Sequence, residues 1–349
     1  MRNGHMLILK GHDVLALLAG REESVVGVVR AAYEAHARGQ SALPHSVFLR
    51  FPDSQLNRII ALPAFLGGEH GGAGIKWVSS FPGNLDRGLE RASAVIILNS
   101  LEDGRPRALL EGSVISAKRT AASAALAART LRGGRGPVEL SLVGCGMINF
   151  EVVRFVASTC GGVAGLHLYD LDESRARQFK EKCERTFDGL RPTVSKDLST
   201  ALGAAPLLSI ATTAVTPYIS DLSAVAPGGV ILHLSLRDIT PEALLACDSV
   251  VDDIDHVCRA QTSVHLAEQL AGNRDFIHCT LADITTGSAE ARSGAGAVTI
   301  FSPFGLGVLD IALSRLVYDL AVKEGKGLVL DSFMPESWLE RDEAASALT

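Results

Sequence analysis

The turn Gly144-Cys145-Gly146-Met147-Ile148-Asn149 follows the apolar run Val138–Val143 and opens a helix-like stretch. In that setting the first glycine permits a tight turn. The second lets backbone approach a pyrophosphate, whose charge the positive helix end stabilises. Asn149 stands where the fingerprint has its third glycine, which predicts slightly wider packing of helix on strand; with Gly144, Gly146, Met147 and Ile148 it is counted among the expected cofactor contacts. Asp170 ends the next strand, 26 residues after Gly144 (170 − 144). A carboxylate there accepts hydrogen bonds from ribose hydroxyls and repels a ribose phosphate, which favours NAD over NADP. Ala211-Thr212-Thr213-Ala214 follows a later strand, and its small residues suit close approach to a cofactor; an ordinary turn is the alternative.

A second set of residues suits carboxylates. Lys76 in GIKWV and Arg119 in SAKRTAA each place a cation among apolar neighbours. A buried cation needs a partner, and a planar guanidinium takes a carboxylate at two points. The pair could line a pocket for an amino acid's carboxylate; alternatively each is solvated or paired internally. Asp252, Asp253, Asp255 and His256 form an acidic cluster without a convincing metal-ligand set, so a structural or cofactor-edge role and no metal site are expected. His45 reads as a structural histidine, with a place in the pocket as the alternative.

These groups need a scaffold, and the chain divides into two rhythms. Apolar residues recur at helical spacing over 12–40, closed by Gly39. Short apolar runs at 47–51, 58–62, 74–78 and 94–99, with another at 108–110, are separated by proline and glycine turns and predict antiparallel strands. An alanine-rich helix is expected over 113–132, broken by Gly133, Gly134, Gly136 and Pro137. From Val138 strands (138–143, 167–169, 207–211, 230–234, 249–251) alternate with helices (148–160, 173–186), which predicts a parallel sheet with covering helices. A last helix is expected over 309–324, then an acidic tail from Glu336. The fold class is therefore α/β: a Rossmann-type domain over 131–304, and an α+β substrate and dimerisation domain from 1–130 with 305–349.

Of 349 residues 47% are hydrophobic and 21% charged, with formal net charge −6 and no long basic run. That argues against a nucleic-acid partner. No run of about 18 uncharged apolar residues marks a membrane span, and no signal peptide is read at the N-terminus, so a cytoplasmic enzyme is expected. The six cysteines include no CxxC pair and are expected to be reduced and buried.

GIKWVSSFPGN (74–84), SAKRTAAS (116–123) and the GCG turn together resemble the ornithine cyclodeaminase/mu-crystallin family. LPHSVFLRFPD (43–53), NRIIALPAFLG (57–67), LHLSLRDI (232–239), VVDDIDHVCRAQTSVHLAEQ (250–269) and IFSPFGLGVLDIA (300–312) extend the resemblance over about 12–331. They look most like the branch acting in siderophore pathways. The resemblance implies NAD-dependent oxidative cleavage of N-[(2S)-2-amino-2-carboxyethyl]-L-glutamate to L-2,3-diaminopropionate and 2-oxoglutarate; the alternatives are an ornithine/lysine cyclodeaminase or ketimine reductase, or a low-turnover nucleotide-dependent binding protein of the crystallin type. It also implies a homodimer formed through the antiparallel sheets. By motif, Lys76, Arg119 and Arg50 bind substrate carboxylates, with Ser46 and Arg58 near Arg50. Asp238 serves as acid/base, with Lys76 beside it in the catalytic set. Thr120, Ser235, Ser302, Phe304 and Gly305 approach the cofactor. Two departures from the cyclodeaminase pattern, Gly88-Leu89-Glu90-Arg91 and Leu236-Arg237-Asp238, add arginine near the pocket. Arg91 thus joins the substrate set, and a substrate with several carboxylates is favoured over ornithine.

Overall fold

The computed structural model describes residues 5–132 and 136–335. It opens with strand β1 (Met6–Leu9) and helices α1 (Gly11–Leu18) and α2 (Glu22–Ala37). The single helix expected over 12–40 is thus two. Gly20 between them has φ +69°, a left-handed conformation that ends a helix and that glycine takes without strain. Strands β2 (Ser41–Ala42), β3 (Val47–Phe51), β4 (Ser54–Leu66), β5 (Gly72–Ser80), β6 (Ala92–Asn99) and β7 (Pro106–Glu111) follow. Every strand expected between 47 and 110 is present. Consecutive partners from β4 to β7 are antiparallel, whereas β1 lies parallel beside β7.

Side-chain alternation sorts the faces of this sheet. On β5, Gly72, Lys76 and Ser80 are buried and Trp77 is exposed. Lys76 pairs with Leu62 on β4 and Ile96 on β6, so these residues share the core face. The outer face carries a row of Val47, Ala61, Trp77 and Val95 across four strands. Val47 and Trp77 in that row are 65% and 42% exposed.

Helix α3 (Ser113–Leu131) then leads to the second sheet. Gly133 and Gly134, two of its expected breakers, lie outside the described residues. The second sheet begins with β8 (Val138–Val143), α4 (Met147–Thr159), β9 (Val163–Tyr169), α5 (Glu173–Thr186), β10 (Thr193–Val194), α6 (Leu198–Gly203) and β11 (Leu207–Ile210). It continues with β12 (Val230–His233), α7 (Pro241–Leu245), β13 (Asp248–Val251), α8 (Ile254–Val257), α9 (Ser263–Ala271), β14 (Ile277–Thr280), α10 (Leu281–Thr285) and β15 (Thr299–Ser302). The order is β10-β9-β8-β11-β12-β15-β13-β14, and every pairing is parallel. All four residues of β11, β12 and β15 are buried, as in a parallel sheet covered on both faces. Sheet growth reverses direction between β8 and β11, and the crevice at such a switch point is where open α/β sheets bind ligands.

Helix α11 (Gly307–Glu324) returns to pack on β4, β5 and β6, and β16 (Leu328–Leu330) pairs antiparallel with β1. The expected acidic tail from Glu336 lies outside the described residues. Small alanine side chains let α3 pack between α2 and α4, and one buried apolar cluster runs from Leu7 to Phe301 through both sheets. The topology changes near residue 131 without a gap in the packing. Among the described residues no helix is long and apolar enough to cross a membrane.

Candidate active site

The glycine turn sits at the end of β8, over the switch point. Gly144 has φ +92°, and a Cβ there would lie 2.4 Å from the Ala211 carbonyl oxygen of the neighbouring strand end. Only glycine fits. Gly146 begins α4 with open space where a Cβ would be and no side chain capping the helix, so the first amides of α4 are free to meet an anion. Asp170 stands at the turn, its Oδ2 accepting from the Cys145 amide at 2.7 Å and its Oδ1 from the Asp172 amide at 3.0 Å. A carboxylate has further lone pairs to offer a ribose. These groups fit a dinucleotide. Met147 is 46% exposed at the helix start and Ile148 is half-buried. Asn149, expected at the cofactor, is fully buried. Its amide donates to the Val143 and Gly144 carbonyls and accepts from Ser209, so its side chain braces the turn from beneath instead of reaching a ligand.

Lys76 and Arg119 converge. The Lys76 ammonium lies 2.6 Å from Oδ2 of Asp310 on α11, and the Arg119 guanidinium 3.1 Å from Oδ1. Ser116, one turn before Arg119, is 3.3 Å from Lys76 and 3.4 Å from Arg119. Two cations share one carboxylate, so the buried triad carries a net positive charge. Burial pushes the Lys76 ammonium down to about 8; Asp310 opposes the fall and Arg119 adds to it. Sequence reasoning missed Asp310, although a lone carboxylate in the apolar run GVLDIAL was a usable signal. Thr120 spends its hydroxyl on the Ser116 carbonyl at 2.7 Å.

A loop joins this triad to the acid/base candidate. Gly305 has φ +92°, and a Cβ there would meet the Arg119 guanidinium at 2.8 Å. The Phe304 and Gly305 amides each donate to the buried Asp252 carboxylate at 2.8 Å. Burial raises Asp252 to about 6 against those two donors, with Asp253 adding to the rise. At the start of the loop, Ser302 is 3.2 Å from Nδ1 of His233, whose Nε2 is 3.2 Å from Asp238 Oδ2. Asp238 is fully buried and also accepts from the Thr212 and Ser235 hydroxyls. Burial alone would raise its pKa, but donation from His233, Ser235 and Thr212 outweighs burial and holds it below the ordinary carboxylate value. Thr212 and Ser235 thus face Asp238 rather than standing free, while Thr213 is exposed beside them. His233, a lone imidazole in an apolar strand, was not foreseen.

Arg50 and Arg91 lie further along the sheet. Arg50 is exposed and pairs in register with Arg58, four residues from Leu62, the partner of Lys76 (62 − 58). Arg91 reaches Ser80 on β5, 3.5 Å away. In the acidic cluster, Asp253 is shared by His256 at 2.9 Å and His36 of α2 at 3.0 Å, and His45 bonds Asp255 at 2.7 Å. The cluster thus joins the two sheets' elements beside the Phe304 loop. All six cysteines are free thiols, and burial pushes Cys145, inside the glycine turn, up to about 12.

Among curated proteins, N-((2S)-2-amino-2-carboxyethyl)-L-glutamate dehydrogenase of Staphylococcus aureus is 28% identical over 344 residues, covering 95% of this chain and 100% of that protein. An archaeal alanine dehydrogenase dimer solved with bound NAD is 26% identical, with TM-score 0.82 over 94% of this chain and 99% of that one. The structure of Thermococcus litoralis Delta(1)-pyrroline-2-carboxylate reductase with NADH and L-proline shares the fold, with TM-score 0.85 at 24% identity over 93% of this chain and 99% of that one. The sequence profile of the ornithine cyclodeaminase/mu-crystallin family matches residues 7–325, and the chain belongs to that family.

Proposed function

We propose that this chain is an NAD-dependent dehydrogenase that cleaves N-[(2S)-2-amino-2-carboxyethyl]-L-glutamate to L-2,3-diaminopropionate and 2-oxoglutarate, releasing NADH. The observation that carries the reading is the Lys76–Asp310–Arg119 triad, whose one uncompensated buried positive charge calls for an anionic ligand. The Staphylococcus aureus relative bears the name of this activity over its whole length.

When bound, the oxidised nicotinamide supplies the hydride acceptor. Lys76 and Arg119 fix the glutamate α-carboxylate, and such positioning can be worth several kcal/mol of barrier. Asp238, held ionised, takes the proton of the secondary amine. Because Asp238 is fully buried, that proton passes through the half-buried hydroxyl of Thr212 or Ser235. Loss of two electrons at the α-carbon leaves a C=N bond. Water adds to that bond, and the adduct splits into the 2-oxo acid and the free amine. The balance is conjugate, NAD and water in; 2-oxoglutarate, diaminopropionate, NADH and a proton out. Arg50 and Arg91 serve the remaining carboxylates.

The working form in this proposal is a cytoplasmic homodimer in siderophore or related biosynthesis, packed through the outer row of Val47, Trp77 and Val95. Incubation with NAD and the conjugate, following NADH absorbance and 2-oxoglutarate together, tests the reading. Equal yields of the two are expected. Proline and ammonia from ornithine without net NADH would make the protein a cyclodeaminase, and NADH from alanine alone would make it an alanine dehydrogenase.

A further inference from the structure

Four arginines lie beyond the triad, three on elements of the first sheet and one on a loop of the second. Register sets Arg50 on β3 opposite Arg58 on β4, and Arg58 opposite Ser80 on β5, on the face that carries Lys76. Arg91 enters from the turn before β6, its guanidinium 3.5 Å from the Ser80 hydroxyl. Arg237 comes from the other sheet, on the loop after β12, where it donates to the Ala260 carbonyl at 2.6 Å. That bond holds the side chain in place, and the neighbouring Asp238 offsets only part of its charge. Arginines elsewhere, such as Arg129, Arg154 and Arg274, sit on carboxylates. Among the described residues these four make no ion pair. Burial and mutual repulsion push Arg58, Arg91 and Arg237 down together: Arg50 acts on Arg58, Arg58 on Arg91, and both Arg58 and Arg50 on Arg237. Four like charges at one end of a cleft oppose folding unless something else is gained by keeping them.

Arg58 lies four residues along the sheet from the partner of Lys76 (62 − 58), about 13 Å between backbones at strand spacing. Long side chains shorten that span from both ends. Arg237 is also the residue next to Asp238, so the cluster borders the acid/base group as well as the triad.

We infer that Arg50, Arg58, Arg91 and Arg237 form a second anion site that grips a distal carboxylate, with Arg58 and Arg237 selecting dicarboxylic substrates over monocarboxylic ones. The inference rests on the reading that Lys76 and Arg119 hold the first carboxylate. It deepens that reading by assigning specificity to two arginines that come from different sheets and whose charges act on each other.

The test uses the full chain loaded with NADH, titrated with 2-oxoglutarate or with pyruvate, which shares the 2-oxo acid head but lacks the second carboxylate. The wild type is expected to prefer 2-oxoglutarate by about tenfold or more. In Arg58→Gln and Arg237→Gln the two affinities should fall within about threefold of each other, with the pyruvate affinity kept. Thermal melts and NADH affinity show whether each variant is folded, and Arg50→Gln, at an exposed position, serves if one is not. A wild type with no preference, or folded variants that retain it, overturns the inference. Conjugate cleavage with the preference intact in both variants sinks the anion site alone. Loss of the preference in both variants, with no cleavage of the conjugate by the wild type, sinks the proposed reaction alone.

Discussion

At the scale of single residues, Lys76 links the site's chemistry to pH. Its amine is pulled down to about 8 because burial outweighs the Asp310 carboxylate beside it. The charge that, in the proposed function, grips a carboxylate is therefore present below about pH 8 and lost above it. The stability effect runs the opposite way. An unfolded chain holds that proton up to 10.5, so burying the charged amine costs stability below about 8, a cost that fades as pH rises toward 10.5. Substrate kcat/KM should thus fall above about pH 8 with no matching fall in melting temperature. Lys76→Arg, charged throughout that window, should give a lower rate without this limb; a limb that persists there would assign it to another group. The cations were legible from sequence because a charge inside an apolar run demands a partner. The partner was not, since Asp310 arrives from α11, 234 positions away (310 − 76), and no local pattern reports such a meeting. Asn149 misled for a related reason: its place in the turn suggested a ligand contact, but its amide is spent on two strand-end carbonyls and Ser209.

At the scale of elements, long segments were legible, and so were the four-residue strands β11, β12 and β13, which are continuous apolar runs or nearly so, but other short strands were not. The run 138–143 and the charged helix 173–186 have the bounds read from sequence. Strands β1, β14, β15 and β16 are three or four residues long, too short for alternation to show. Strand β15 ends on Ser302 and launches the loop that carries Phe304 and Gly305 between Asp238 and Arg119. Two hydrogen bonds from that loop to Asp252 pin it, and Gly305 leaves room for the Arg119 guanidinium. Gly305→Ala adds a methyl 2.8 Å from Nη1 at φ +92°, so the arginine or the loop must yield. Strain of about 1–3 kcal/mol is expected, lowering kcat/KM about tenfold or more. NADH affinity, set mainly at the glycine turn, should change far less. Equal loss in both would place the loop's influence on the cofactor instead of the arginine.

At the scale of the whole molecule, the order of the parallel sheet and the shared core fix where the site is. The switch between β8 and β11 puts the glycine turn at one crevice, and α3 and α11 bring Arg119 and Asp310 to it from the other sheet's side. Among the described residues the opposite face of the first sheet has no such cover. Its row of Val47, Trp77 and Val95 leaves large apolar side chains 65%, 42% and 39% exposed. Scattered exposed apolar residues are ordinary, but a row aligned across neighbouring strands is the form an interface takes. Packing a second copy there would also stiffen β5, whose inward side chain next to Trp77 is Lys76. Trp77→Glu sets a carboxylate in the middle of the row without touching the core face. Light scattering should then show the two-chain mass of the wild type fall to that of one chain. Fluctuation of the Lys76 strand should raise KM for the acidic substrate more than it lowers kcat. A variant that keeps the two-chain mass would move the contact to another surface, and a wild type that is already one chain would leave the row a bare apolar face.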